Sequence, residues 1–176
     1  MMTPEEEKLR YPIGRLDRNT ALTREDAIAV LAALPGELRK AVEGLSEAQL
    51  DTAYREGGWT LRQVVHHLAD SHAQAVSRIR FALTEDWPRV PDYPEALWAE
   101  LADARTSPVE DSLRLLEGLH GRLVMLLQSL SREQWQRGFD HAKKGRMLLA
   151  DVAVLYAWHS QHHLAHIRSL RERKGW

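Results

Sequence analysis

Residues 57–72 decide the fold; they read Gly-Gly-Trp-Thr-Leu-Arg-Gln-Val-Val-His-His-Leu-Ala-Asp-Ser-His. The two glycines break the chain, and Thr60 followed three residues later by Gln63 is the capping-box pattern that opens a helix. Trp59, directly before the cap, is in position to pack against Val64 as a hydrophobic staple. The stretch therefore predicts a helix that begins immediately after Thr60.

Apolar residues at helical spacing extend this helix to about residue 83. They form one stripe, which consists of Val64, Leu68, Ala75 and Ile79. An earlier helix is predicted from Thr20 to about Leu45, because apolar residues recur there at steps of three and four. Pro35 lies inside that helix and predicts a kink or a break, since proline lacks the amide proton that the helix needs.

Two more long helices are predicted, over residues 108–130 and 148–174. The connections carry shorter elements: capping-box turns at 46–49 and 131–134, a loop at 87–94, a short helix at 95–104, and a turn or small hairpin at 139–147. Strand-like alternation is nearly absent. Four long amphipathic helices predict an all-α four-helix bundle with short extra helices in its connections, as one domain over residues 1–176.

Composition narrows the class of protein. At 176 residues and 44% hydrophobic, the chain is long enough to bury one good core. The formal net charge is -1, so no basic field draws the protein to nucleic acid or to a membrane. There is no cysteine, no signal-peptide pattern at the N-terminus and no apolar run of membrane-spanning length. These features predict a cytoplasmic protein that binds neither nucleic acid nor membrane.

Histidines are the main functional signal, with nine in the chain. His159 and His163 are four residues apart, so a helix places both on one face. That face also carries Val152, Tyr156 and Leu170 and should look into the bundle. A buried imidazole must find a partner, and a metal ion is one such partner.

His67 on the second helix can supply a third nitrogen to such an ion. Three neutral imidazole ligands leave a coordination position open for water or substrate, as catalytic zinc sites do. Spacing alone does not choose His159 and His163 over the pair His162 and His166. The other isolated histidines, His66, His72 and His141, are expected to be solvated or capped.

Other polar residues are weaker candidates. Glu117 and His120 have the Glu-x-x-His spacing of di-iron bundles, but those sites need two such motifs, so His120 is retained only as a pocket-lining or catalytic candidate. Asp70, three residues after His67, is the second catalytic candidate; a hydrogen bond to a ligand imidazole or simple solvation is the alternative. Arg62 is a candidate to hold a substrate carboxylate, with a surface position as the alternative, and the same two alternatives apply to Arg122 and Arg168.

Several segments together resemble the DinB superfamily of metal-binding four-helix bundles, and most closely its YfiT-like subgroup of metal-dependent hydrolases. The resembling segments span nearly the whole chain: residues 11–14, 49–55, 57–72, 119–122, 137–139, 158–160, 162–163, 165–167 and 175–176. The block at 57–72 is far more specific than any isolated histidine pair. One departure is at Ala165-His166, where the wider superfamily often has Gly-Gln.

The resemblance implies a ligand set. In the family, the first ligand is the histidine eight residues after the tryptophan at the helix start, which is His67 here, and the other two are the outer histidines of a His-x-x-His-His block, which are His159 and His163. His162 is then turned aside. One divalent ion per chain is implied, zinc in the first place and nickel in the second, in a homodimer that acts on a small molecule.

Two reactions suit a site of this kind. A metal-bound water can act as the nucleophile of a hydrolase, and this is the primary expectation. A bound low-molecular-weight thiol can instead be presented to an electrophile, as in related S-transferases that use a thiol such as bacillithiol. A third alternative is a bundle without enzymatic activity, in which the metal is structural and a fourth protein ligand, His120 or His162, closes the site.

Overall fold

The computed structural model describes residues 3–17 and 22–176. Its helices are α1 (Pro4–Arg10), α2 (Arg24–Val42), α3 (Glu47–Leu50), α4 (Leu61–Thr84), α5 (Glu95–Trp98), α6 (Ala102–Thr106), α7 (Val109–Gln128) and α8 (Leu149–Lys174). The strands are β1 (Arg89–Val90), β2 (Gly138–His141) and β3 (Gly145–Leu148), and a 3₁₀ turn spans Gln134–Gln136. The predicted four-helix bundle is confirmed, and α2, α4, α7 and α8 form it.

The order of the helices around the bundle differs from their order in the chain. Helix α2 packs chiefly against α8 and α7, and α4 packs against the same two helices. The first two long helices, α2 and α4, therefore lie diagonally across the bundle, and so do the last two, α7 and α8. This arrangement makes α4 and α8 neighbours, although 64 residues separate the end of α4 from the start of α8.

The start of α4 confirms the capping box. The Thr60 hydroxyl accepts from the Gln63 amide at 3.1 Å, and the Gln63 side chain accepts from the Thr60 amide at 2.9 Å. Gln63 also donates to the carbonyl of Ala99 at 2.7 Å, which ties the start of α4 to the segment after α5. Trp59 packs against the cluster that contains Val64, as the staple pattern predicts.

Helix α2 runs through Pro35 without a break. Its start is capped by Thr23, whose hydroxyl accepts from the Asp26 amide at 3.1 Å; the predicted start at Thr20 lies outside the described residues. Because Pro35 has no amide proton, the carbonyl of Leu31 loses its usual helical partner. His120 on α7 replaces that partner, since its Nδ1 lies 2.6 Å from the Leu31 carbonyl oxygen.

The predicted hairpin at 139–147 is present as β2 and β3, which pair antiparallel. The stretch at 87–94, predicted as a loop, contains β1, which pairs parallel with β2. The predicted short helix at 95–104 is divided into α5 and α6. Over the described part of the chain, no helix combines the length and apolar character needed to cross a membrane.

The hairpin yields a stability prediction at Gly138, where an added Cβ would lie 2.2 Å from the backbone oxygen of Met147. Backbone cannot move aside as a flexible side chain can, so Gly138→Ala is expected to lower the free energy of unfolding by about 1–3 kcal/mol. Gly118→Ala is the matched control, because a Cβ at this exposed helical position meets nothing within 4 Å. It should raise the free energy of unfolding by about 0.5–1 kcal/mol. Urea unfolding of both variants measures the two values, and equal effects would contradict the steric argument.

Candidate metal centre

Three histidines from the neighbouring helices α4 and α8 converge on one point. His67 comes from α4, and His159 and His163 come from successive turns of α8. One ring nitrogen of each lies within 4.8 Å of the other two. The Nε2 atoms of His67 and His159 are 3.1 Å apart. The sequence predicted these three side chains as a group, and the fold brings them together.

Each ring of this trio also has a contact through its other nitrogen. His67 Nδ1 lies 3.4 Å from the hydroxyl of Tyr93, in the segment after β1. His159 Nδ1 lies 3.3 Å from Nε2 of His72, and His163 Nδ1 lies 3.3 Å from Nδ1 of His166. The three Nδ1 atoms therefore have partners outside the trio, and the Nε2 atoms of His67 and His159 face each other.

The surroundings of the trio are aromatic and largely dry. The Trp59 ring lies 4.6 Å from the His67 ring and 6.3 Å from the His163 ring, centroid to centroid. His67 and His163 are buried, whereas His159 is only partly covered. The trio is thus packed on the side of Trp59 and retains some access to solvent at His159.

Burial keeps these imidazoles neutral. It lowers the pKa of His67 to about 4, and His162 adds to the effect. The pKa values of His159 and His163 also lie well below the ordinary value, with burial again the largest cause. Neutral imidazole is the form that binds a metal ion, so the trio is in its metal-binding protonation state at neutral pH.

The distance between His67 and His159 suits a metal ion of the size of zinc. Two Zn–N bonds of about 2.0–2.1 Å at a tetrahedral angle place their nitrogens about 3.3–3.4 Å apart. The separation of 3.1 Å between the Nε2 atoms of His67 and His159 is close to this value. The donor set of three neutral imidazoles also suits a divalent transition metal.

A second group, formed by His162, His163 and His166 on α8, also satisfies the distance criterion for metal ligands. It shares His163 with the first group, and a neutral imidazole has only one unprotonated nitrogen to offer. His166 is engaged elsewhere, because its Nε2 lies 3.1 Å from the carbonyl oxygen of Arg10 at the end of α1. His162 stacks on Trp158 with ring centroids 4.6 Å apart, and its buried Nδ1 has no hydrogen-bond partner within the described parts of the chain.

The two catalytic candidates from the sequence lie outside both groups. His120 is buried and is held between the Leu31 carbonyl and His72, whose Nδ1 is 2.9 Å from His120 Nε2. Asp70 is partly buried, and its pKa is raised mainly by burial, with a contribution from Asp103. Among the described residues, no hydrogen bond joins Asp70 to a histidine of the trio. A catalytic role for either residue stays a prediction.

Three histidines expected to be solvated or capped are in fact buried, so solvation was wrong for all of them. His66 contacts the Ser112 hydroxyl at 2.7 Å and the Ser107 carbonyl at 3.1 Å. His141 is capped, because its Nδ1 accepts from the amides of the hairpin turn at 143–144. His72 is fully buried and contacts two other histidines.

The signal for His72 was present in the sequence. It lies four residues after Leu68, so it continues the apolar stripe of α4 between Leu68 and Ala75. A histidine in the middle of a core stripe must hydrogen-bond inside the protein.

Two of the three arginine candidates, Arg62 and Arg168, have structural partners. Arg62 is buried and is held by Glu47, Asp51 and the Ser107 carbonyl, so it is not free to hold a substrate. Arg168 pairs with Glu37 on α2. Arg122 is exposed on α7. The interpretation of Arg62 as a surface residue was therefore wrong, because its buried side chain ties the start of α4 to α3 and the residue that follows it.

Fold and site together define a class: a four-helix bundle with a candidate metal centre built from histidines of two adjacent helices. The family model of the DinB superfamily matches residues 31–167, which include all three histidines of the trio. The chain belongs to the DinB superfamily.

Relatives of nearly equal length agree with this assignment. The chain is 45% identical over 172 residues to a Bacillus subtilis protein named "Putative metal-dependent hydrolase YfiT", covering 96% of this chain and 97% of that protein. It is 48% identical over 172 residues to a Geobacillus thermodenitrificans protein named "Putative metal-dependent hydrolase", covering 96% of this chain and 97% of that protein.

Solved structures confirm the fold. The structure of YfiT from Bacillus subtilis, described as "a probable metal-dependent hydrolase with an unusual four-helix bundle topology", matches with a TM-score of 0.92 at 45% identity over 96% of this chain and 99% of that one. A second four-helix-bundle protein matches with a TM-score of 0.59 at 20% identity over 84% of this chain and 99% of that one, which supports the fold alone.

Proposed function

We propose that His67, His159 and His163 bind one divalent metal ion per chain, and that the protein is a metal-dependent hydrolase of a small molecule. The observation that carries this proposal is the approach of the His67 and His159 Nε2 atoms to 3.1 Å, with His163 in the same group. This separation is also that of an N–H···N hydrogen bond between the two rings, and the third imidazole in the same group is what favours a shared cation. Zinc is the proposed ion, and nickel is the second candidate because imidazole suits both.

An open coordination position follows from the number of ligands. Structural zinc sites normally have four protein ligands, whereas catalytic sites have three and leave one position to water or substrate. His120 is not available as a fourth ligand, because both of its ring nitrogens already have partners. The partial exposure of His159 gives solvent and substrate a side from which to approach. An ion held by these three histidines would supply Lewis acidity and would lower the pKa of a water in its open position toward about 7.

The protein's own residues shape the rest of the site. Trp59 covers the His67 side of the trio and limits the entry of water. The Tyr93 hydroxyl lies beside His67 Nδ1, and burial raises the pKa of its phenol, so the hydroxyl stays neutral. His67 is thereby oriented with Nε2 toward the other two ligands.

The relatives support the reaction class, because those at 45% and 48% identity are named as metal-dependent hydrolases. The alternative reaction, transfer of an electrophile to a low-molecular-weight thiol, needs the same ligands. The homodimer and the identity of the small-molecule substrate, both expected from the resemblance, stay predictions.

The test begins with the metal content of the untagged protein by elemental analysis, before and after incubation with zinc or nickel. About one ion per chain is expected. The loaded protein is then assayed with a panel of activated esters and amides, with and without an added thiol, and again after removal of the metal by a chelator.

Metal-dependent turnover that needs only water is the expected result. Turnover that appears only with thiol would replace the hydrolase by the thiol transferase while retaining the metal centre. Failure of the protein to take up either metal would overturn the proposal as a whole.

A further inference from the structure

A line of hydrogen bonds connects the trio to the opposite side of the bundle and uses one residue from each of the four long helices. From the trio outward, His159 Nδ1 on α8 is 3.3 Å from Nε2 of His72 on α4. Nδ1 of His72 is 2.9 Å from Nε2 of His120 on α7. Nδ1 of His120 is 2.6 Å from the carbonyl oxygen of Leu31 on α2. The rings of His72 and His120 are also stacked, with centroids 4.9 Å apart.

The line ends on a carbonyl that would be occupied in an ordinary helix. Inside an α-helix, each carbonyl accepts from the amide four residues later. For Leu31 that residue is Pro35, which has no amide proton. The carbonyl is therefore open to a donor from another helix, and His120 supplies it.

The Leu31 carbonyl at the end of the line determines which ring nitrogen is protonated in each of the three histidines. A carbonyl oxygen only accepts, so His120 must carry its proton on Nδ1. A neutral imidazole has one N–H, so His120 Nε2 accepts, and His72 must donate from Nδ1. His72 Nε2 then accepts from His159 Nδ1, which leaves the lone pair of His159 on Nε2. No other arrangement of neutral rings satisfies all three hydrogen bonds.

We propose that His72 and His120 are positioning residues that hold His159 in the tautomer with Nδ1 protonated and Nε2 free for a metal ion. This inference rests on the proposed function, because it assigns His159 as a ligand. Metal-ligating histidines commonly donate their other N–H to an oriented acceptor, and loss of that acceptor lowers metal affinity by about 10–100-fold. Here the acceptor is a second histidine, itself oriented by a third.

The same logic applies independently to His163. His166 Nε2 is 3.1 Å from the carbonyl oxygen of Arg10, the last residue of α1, where helical carbonyls lack an intrahelical partner. His166 must donate there, so its Nδ1 accepts from His163 Nδ1 at 3.3 Å. The lone pair of His163 is then also on Nε2. Both α8 histidines of the trio are therefore protonated on Nδ1, His159 through a line that ends on α2 and His163 through one that ends on α1.

The first test compares His72→Phe with His66→Phe. Both substitutions replace a buried histidine of α4 that makes two hydrogen bonds, but only His72 lies on the line to His159. The zinc dissociation constant is measured by competition with a chromophoric chelator at fixed pH. His72→Phe should weaken binding by about 10–100-fold, while His66→Phe should leave the dissociation constant within about threefold, as expected for a residue without a link to the ligands. Equal weakening in both variants would overturn the proposal, because loss of packing would then explain it.

The second test needs no substitution and therefore decides the proposal even if His72→Phe does not fold. Long-range ¹H–¹⁵N correlation spectra of the metal-free protein report which ring nitrogen of each histidine is protonated. We expect protonated Nδ1 in His159, His72 and His120. A proton on Nε2 of His159 would overturn the inference.

The two proposals fail in different ways. If the parent protein takes up no zinc, the proposed metal centre fails, while the spectra still determine the order of protons along the line. If zinc binds but the spectra show His159 protonated on Nε2, or if His72→Phe binds zinc as the parent does, the metal centre stands and the positioning role of His72 and His120 is wrong.

Discussion

Replacing His159 with alanine is expected to abolish stoichiometric metal binding, whereas replacing His162 should leave it intact. The two residues lie within one turn of the same helix. Each belongs to one of the two possible ligand groups. Only His159 faces His67 through Nε2. Removal of one of three ligands should weaken binding by more than about 100-fold, since loss of an outer partner alone reaches about 10–100-fold. Elemental analysis after dialysis against a weak chelator measures the difference.

His162→Ala is the matched control for His159→Ala, and it also separates the two ligand groups. If the ion instead binds to His162, His163 and His166, then His162→Ala loses the metal and His159→Ala retains it. His163→Ala removes a residue common to both groups and should lose the metal in either case. Retention of one ion per chain in His163→Ala would therefore contradict both groups.

Local sequence patterns were sufficient for the parts of the structure that depend on near neighbours. The capping box of Thr60 and Gln63 predicted the start of α4, because both partners lie within one turn. Helical spacing likewise placed His159 and His163 on one face of α8, since a single helix determines that relation. Convergence of His67 on them needed the family resemblance as well, because it depends on which helices are neighbours.

The features that escaped prediction depend on contacts between distant segments. Strand β1 has two residues and exists only through its pairing with β2. Pro35 predicted a disturbed helix, but no local pattern showed that His120, 89 residues away from Leu31, would bind the carbonyl that the proline leaves open. His72 was misjudged for a related reason: its place in the stripe of α4 showed burial, yet its partners come from α7 and α8. A polar residue in a core stripe thus indicates from sequence that buried hydrogen-bond partners exist, but not which residues they are.

The metal-free protein is expected to lose stability steeply as the pH falls from about 6.5 toward 4, since burial lowers the pKa of histidines throughout the bundle. The pKa is lowered to about 4 for His67 and His162 and to about 3 for His166, with burial the largest cause in each. Above the ordinary histidine pKa of about 6.5, both the folded and the unfolded states are neutral and the shifts have no effect. Below it, the unfolded chain takes up protons that the folded protein excludes, so the free energy of unfolding falls until the folded-state pKa values are reached.

The size of this effect follows from the distance below the unfolded pKa. At pH 5.5 each strongly shifted histidine costs about 1.4 kcal/mol, so the three named above together cost about 4 kcal/mol. This is a large part of the free energy of unfolding of a typical domain, which is about 5–15 kcal/mol. Urea unfolding of the metal-free protein at pH 7.5 and pH 5.5 measures the difference.

His162→Phe isolates the contribution of one ring. His162 Nδ1 is buried and has no hydrogen-bond partner among residues 3–17 and 22–176, and its ring stacks on Trp158, so phenylalanine can take its place without loss of a bond at that atom. The variant should show a difference between pH 7.5 and pH 5.5 that is smaller by about 1.4 kcal/mol. Gln161→Ala, at the exposed neighbouring position, should leave the difference unchanged. If the parent is equally stable at both pH values, the folded protein must accept protons on these histidines, and their burial as neutral rings would be contradicted.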